Sequence, residues 1–213
     1  MPNIKKVLVL CLLVVVSAWL PLPSAWAADA IKDPTITRMV GEVNILRGKS
    51  FIKGSAGMAL QRGDEVRTSR RGKAYIDFPD NSRVKLGNFA RFQVRDWQES
   101  EGIFSSILRV SQGAFRYTAG LLRTGLKQRN TELSTRTAVL GVRGTDFWGR
   151  VGKDNTFLLL LEGSVSLAPR FGDSTTYNRA GFAVNIDNDN ISEPSAYKGE
   201  DIAPLAAETE IED

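Results

Sequence analysis

The chain has 213 residues, with 28 Lys and Arg against 24 Asp and Glu, no histidine and a single cysteine, Cys11. Lacking imidazole and a second thiol, it is denied the usual neutral-pH proton shuttle and the commonest metal ligands, which excludes serine–histidine triads, zinc, copper and haem-type sites and any disulfide framework. Charge is unevenly spread: residues 62–95 carry nine basic and four acidic side chains, residues 109–150 eight and two, and residues 173–213 two and ten, so a basic body ends in an acidic C-terminus.

Lys5 and Lys6 precede an apolar run, residues 7–20, followed by Pro21, Pro23 and Ala25-Trp26-Ala27. That order is a secretory signal peptide, residues 1–27, with cleavage expected before Ala28 and a periplasmic destination. The run is shorter than the roughly 20 residues a helix needs to cross hydrocarbon, so no transmembrane anchor is expected after cleavage. Cys11 lies too deep in the run to be a lipid-attachment site. The remainder is long enough for one domain with a hydrophobic core.

From Ala28 onward no amphipathic helical stripe appears, whereas short alternating runs punctuated by Gly, Asp, Asn and Pro do. In Lys73-Ala74-Tyr75-Ile76-Asp77-Phe78, the residues Ala74, Ile76 and Phe78 share one face. Pro79-Asp80-Asn81-Ser82 then turns the chain, and Val84 and Leu86 follow on the same inward side. Lys73, Asp77, Arg83 and Lys85 fall on the wet side, because successive strand side chains alternate between faces. The same pattern recurs around Phe92 and Val94, around Leu108 and Val110, and around Ala183 and Val184. Residues 156–161 are apolar on both faces and read as a central strand. Gly152-Lys153-Asp154-Asn155 and Glu162-Gly163 bracket it as the middle of a three-strand meander with residues 145–151 and 164–167. Residues 118–127 fit a helix through Leu121, Leu122 and Leu126, or a loop through Gly120 and Gly125. The pattern predicts an all-β single domain over residues 28–187, an antiparallel sandwich, roll or double-stranded β-helix-like fold with little helix. Residues 188–213 read as an acidic, disordered tail.

Gly141-Val142-Arg143-Gly144-Thr145-Asp146-Phe147 is the most distinctive local string. It lacks the glycine spacing and the lysine of a phosphate-cradling loop and precedes a strand rather than a helix, so Gly141, Arg143, Gly144 and Thr145 are assigned to a structural turn or bulge. Arg62, Arg67, Arg70, Arg71, Lys73, Arg83 and Lys85 form a basic stripe that could face an anionic partner, although exposed strand faces are ordinarily charged. Nucleic acid does not fit, because no aromatic–basic stacking pattern accompanies these residues. Asp64 with Glu65, Asp77 with Asp80, and Asp187 with Asp189 are carboxylate pairs set in turns. The last pair sits in a string without the glycine and bidentate glutamate of a calcium loop. Trp97, Trp148, Phe147 and Tyr117 are expected in or beside the core. No catalytic residue, metal or cofactor is assigned.

Three stretches resemble the FecR-domain family, named after the periplasmic portion of the iron-citrate uptake regulator. They are Gly41-Glu42-Val43-Asn44-Ile45-Leu46-Arg47-Gly48, the region from Leu60-Gln61-Arg62-Gly63-Asp64-Glu65-Val66 through Pro79-Asp80-Asn81-Ser82 to Leu86, and Thr137-Ala138-Val139-Leu140-Gly141-Val142-Arg143-Gly144-Thr145-Asp146-Phe147 with residues 157–165. The resemblance implies an extracytoplasmic all-β module for signal reception or protein interaction, without enzymatic activity and with no catalytic residues to carry over. The chain departs from the regulator in having neither a cytoplasmic anti-sigma segment nor an internal transmembrane helix, so a signal would have to pass through a membrane partner. The expectation is a non-enzymatic periplasmic binding or sensory-accessory module in envelope signalling, with an envelope or membrane protein as partner. The alternative is a module binding an anionic cell-wall polymer or glycan through a basic sheet face.

Overall fold

The structure, a computed structural model, describes residues 32–212; the expected signal peptide lies outside them. Fifteen strands form one continuous sheet. They are β1 (Thr35–Val40), β2 (Val43–Arg47), β3 (Ser50–Lys53), β4 (Met58–Ala59), β5 (Glu65–Thr68), β6 (Lys73–Asp77), β7 (Ser82–Leu86), β8 (Arg91–Ser100), β9 (Ile103–Ala119), β10 (Gln128–Ser134), β11 (Ala138–Val151), β12 (Thr156–Pro169), β13 (Thr175–Tyr177), β14 (Phe182–Ile186) and β15 (Ser195–Ala196), followed by the helix α1 (Gly199–Thr209).

Three long strands organise the sheet. Residues 113–118 of β9 pair with β11 and residues 115–119 with β7, while residues 103–112 pair with β8 and residues 103–109 with β10. β11 and β12 divide in the same way, so one half of the sheet runs β15-β14-β12-β11-β9-β7-β6-β1-β4 and the other β3-β2-β5-β8-β9-β10-β11-β12-β13. The strands bend where they pass between halves, and a glycine with positive φ stands at each bend: Gly113 (90°), Gly144 (58°) and Gly163 (82°). An L residue is strained in that region, which is why glycine occupies these corners. Inward residues of both halves, among them Val43, Ile45, Phe92, Leu108, Ile76, Val84, Phe115 and Phe147, join a single apolar cluster, so the sheet folds over one core. Both halves end in strands of two to four residues, β4 and β15 in one, β3 and β13 in the other, which leaves little edge for unwanted pairing.

The all-β single domain expected from the alternation is present. Three expectations differ in detail. β9 and β10 run parallel, the exception among the strand pairs of the described residues, because residues 120–127 cross back as an irregular connection instead of making a hairpin. Residues 156–161 and 164–167 belong to one bent strand, β12. Glu162-Gly163 is its corner and not a turn, so the proposed meander has its hairpin only at Gly152–Asn155, where the Gly152 N–H donates to the Asn155 carbonyl at 2.9 Å. The C-terminal residues, read as a disordered tail, contain β15 and α1 and are tied to the sheet.

Candidate partner-binding face

β6, β7, β9 and β11 send alternate side chains outward, and their registers align these side chains across the strands. One row runs Arg38, Tyr75, Lys85, Arg116 and Trp148, and the next Asp77, Arg83, Thr118 and Asp146. Cations surround the Tyr75 ring: Lys85 Nζ lies 5.0 Å from its centroid, and the Arg38 and Arg83 guanidinium carbons 5.6 Å. Two carboxylates hold two of the arginines in place. Asp77 accepts from Arg83 at 2.5 and 2.7 Å, and Asp146 accepts from Arg116 Nε at 2.9 Å and Nη2 at 2.7 Å, leaving Arg116 Nη1 directed elsewhere.

That remaining donor and its neighbours converge on Glu210. Lys85 Nζ donates to both carboxylate oxygens at 2.6 and 2.7 Å, the Tyr75 hydroxyl donates to Oε2 at 2.9 Å, and Arg116 Nη1 reaches Oε1 at 3.3 Å. The backbone on either side is also engaged: Lys73 Nζ donates to the Ala207 and Glu210 carbonyls at 2.8 and 2.6 Å, and the Ile211 N–H donates to the Tyr75 hydroxyl at 2.6 Å. Burial pushes the Tyr75 hydroxyl above its ordinary pKa, so it keeps the proton it donates. For Glu210, burial alone would raise the pKa. The hydrogen bonds from Lys85 and Tyr75 and the charges of Lys85 and Arg116 outweigh it and hold the carboxyl below the usual glutamate range.

α1 has no basic residue in its last turn, and Lys73 from β6 supplies the cation that its carbonyl end favours. Gly87 lets the helix end approach, since a Cβ there would lie 2.9 Å from the Glu208 carbonyl oxygen. Arg150 pairs with the Glu208 carboxylate.

The basic stripe predicted from sequence does not form one face. Lys73, Arg83 and Lys85 stand in the half just described, whereas Arg67 lies on β5 in the other half, paired with Glu65 at 2.5 Å and 5.1 Å from the Phe51 ring. Arg62 precedes β5 and pairs with Asp96 over the Trp97 ring, while Arg70 and Arg71 are exposed in the turn before β6. Arg116, Tyr75, Asp146 and Glu210 were absent from the predicted site. Arg116 reads locally as one more outward strand residue, and Glu210 as tail.

The carboxylate pairs are structural. Asp80 is fully buried against Arg129, which also donates to the Asp80 and Gly120 carbonyls at 2.5 and 3.1 Å. Asp64, 1% exposed, accepts from Arg47 Nε and Nη2, which ties two of the FecR-like stretches together. Asp187 accepts from the Asp189 and Asn190 N–H groups at 2.9 and 2.7 Å, ordinary turn chemistry. In the string that holds Gly141, Arg143, Gly144 and Thr145, only Gly144 takes positive φ. The Thr145 hydroxyl secures this corner by donating to the Arg143 and Ser164 carbonyls at 3.0 and 2.5 Å, and Gly141 lies inside β11.

On the other half's outer face, Gly141, Arg143, Glu132, Asn130 and Ser166 line an open polar trough of about 750 Å³. Among the described residues no three His, Cys, Asp or Glu side chains gather as a metal site requires, and no helix is long and apolar enough to cross a membrane.

Two crystal structures of a "putative anti-sigma factor" from Parabacteroides distasonis ATCC 8503 share the fold, with TM-scores of 0.53 and 0.52 at 12% identity over 67% of this chain. The match spans 63 and 64% of those chains, less than two thirds of their length. No curated protein sequence matches. The protein family described as FecR protein matches residues 64–166, the stretch from the buried Asp64 through the corner at Gly163. Residues 64–166 are thus the part of the chain that is similar to the FecR family.

Proposed function

We propose that this chain is a non-enzymatic periplasmic module that takes part in envelope signalling by binding another protein. The observation that carries the reading is the outer face around Tyr75. It is a rigid array of cations, oriented by Asp77 and Asp146, that grips a carboxylate and the peptide backbone beside it. Such an array recognises a protein segment and offers no general acid–base pair, since Asp77 and Asp80 face different neighbours and each is held by an arginine. The FecR domain and the anti-sigma description of the two similar structures support a signalling role. The signal-peptide pattern of residues 1–27 supports export. An anionic cell-wall polymer would be met best by a continuous basic array, and the division of the stripe between two halves favours the protein partner instead.

Site-specific photo-crosslinking in cells tests the reading. A crosslinker at Thr118, on the cationic face, should capture one discrete envelope protein, and one at Val139, in the other half, should not. Absence of any adduct from Thr118 would sink the proposal. N-terminal sequencing of the protein recovered from the periplasm should begin at Ala28.

A further inference from the structure

Glu210 is recognised by groups from three strands that lie 94 to 137 positions away in sequence, and the contacts read both a carboxylate and the main chain beside it. The segment that delivers it has little else to hold it. α1 has 11 residues, carries Pro204 in its interior and buries only Thr209. A helix of this length is marginal alone, and an interior proline removes a hydrogen bond and costs it about 3 kcal/mol. Arg150 with Glu208, its other ion pair to the sheet, is exposed on both sides and of the kind that contributes little. A well-built site is thus filled by a poorly anchored segment.

We propose that the cradle of Lys73, Tyr75, Lys85 and Arg116 is a docking site for an acidic peptide segment of a second protein, and that residues 198–212 of this chain cover it until displaced. The proposal rests on the protein-binding reading above and names the chemistry of the partner: a glutamate or aspartate whose flanking main chain is free to meet Lys73 and the Tyr75 hydroxyl. The tether sets the threshold for displacement. A segment joined to its site by a short linker competes at an effective concentration on the order of millimolar. A free acidic peptide therefore binds the closed chain weakly, while a partner that adds contacts on the surrounding face can displace the cover.

Fluorescence anisotropy with a labelled peptide of residues 199–213 tests this on the full chain. Glu210→Lys opens the cover by placing a cation among cations, and the peptide should bind this variant at least about ten-fold more tightly than the unaltered chain, an advantage that reports loss of the tethered competitor. Restoring the pair with exchanged charges, Lys85→Glu with Glu210→Lys, should close the cover again, read as protection of the Ile211 amide from hydrogen exchange that returns towards the level of the unaltered chain, whereas Glu210→Lys alone should leave that amide unprotected. Circular dichroism confirms that each variant retains its sheet. Equal binding to the closed and opened chains, or none to a folded Glu210→Lys variant, would overturn the proposal. If the peptide behaves as expected while Thr118 captures no envelope protein, the cover stands and the signalling role fails. If Thr118 captures a partner equally with and without Glu210→Lys, the role stands and the cover fails.

Discussion

Asp80 and Arg129 show how single side chains fix the chain's course. Their side chains are 0 and 5% exposed, and Arg129 also gathers the carbonyls of Asp80 and Gly120, locking the Pro79–Ser82 turn to the start of β10. Removing one member of a buried pair strands the other, so Arg129→Ala should cost about 3–5 kcal/mol by urea unfolding. Arg129→Met combined with Asp80→Asn, which leaves no buried charge, should recover much of that loss; equal losses would refute the argument. Glu210 makes the complementary case at the surface. Its docked pKa lies below the ordinary value of about 4.3, so docking is fully present above that pH and is lost as pH falls through the lower docked value. The groups that face it are Lys73, Lys85, Arg116 and Tyr75, with Asp146 behind Arg116. Protection of the Thr209 and Ile211 amides from hydrogen exchange, measured against their intrinsic rates at each pH, should therefore hold above the ordinary glutamate range and fall on further acidification. Glu210→Gln should flatten this dependence.

Among elements, the bent strands carry the fold, and their corners differ in what they tolerate. Gly144 combines φ of 58° with open space, while Gly113 combines φ of 90° with an Ala90 Cα only 2.6 Å from where a Cβ would sit. Gly144→Ala should cost about 1–2 kcal/mol, the ordinary penalty of the left-handed region, and Gly144→Asn less. Gly113→Ala must add a backbone clash and should cost clearly more; thermal melts showing the reverse order would mean that the corners are not set by these glycines. The same corners mark the limit of what sequence reveals. Alternation found the inward residues Ala74, Ile76, Val84 and Leu86, because the face of a strand is a local property. Glu162-Gly163 reads as a turn because a glycine with positive φ looks the same in a hairpin and in a bend. Only the partner of the next residues, Ser164 with Arg143 on the far half of β11, distinguishes them. The parallel β9–β10 pair was hidden for a similar reason, since residues 120–127 mix two glycines with three leucines and carry no hairpin signal. Glu210 was illegible because acidic composition alone implies disorder, and its order depends on Lys85, 125 positions earlier. By contrast Asp146, within the most distinctive string, orients the Arg116 that meets Glu210. The bend in that string was legible, and the pairing of Asp146 with Arg116 was not.

For the molecule as a whole, sharing β9, β11 and β12 between both halves means that neither half has a complete set of strands of its own. Detaching one would break three strands in their interiors and expose inward residues of a common core, including Phe92, Phe115, Phe147 and Leu167. Unfolding should then be a single cooperative event even though the sheet has two distinct faces. Two tryptophans report on the halves separately. Trp148, 1% exposed, lies on β11 where it pairs with β9 and β12 near α1, and Trp97 lies on β8, packed beneath Arg62. In the form cleaved before Ala28 these are the tryptophans that remain. Trp148→Phe therefore leaves a probe in one half, and Trp97→Phe leaves one in the other. Within each variant, the urea midpoint from fluorescence should coincide with the midpoint from far-ultraviolet circular dichroism. The argument from shared strands fails if Trp97 fluorescence changes at a lower denaturant concentration than the sheet signal. The cover provides an internal contrast. α1 is held by its last turn and contributes no strand to the core, so Glu210→Lys should speed exchange across residues 199–211 while leaving the global midpoint nearly unchanged. A module built this way keeps a rigid recognition surface while its own C-terminus comes and goes.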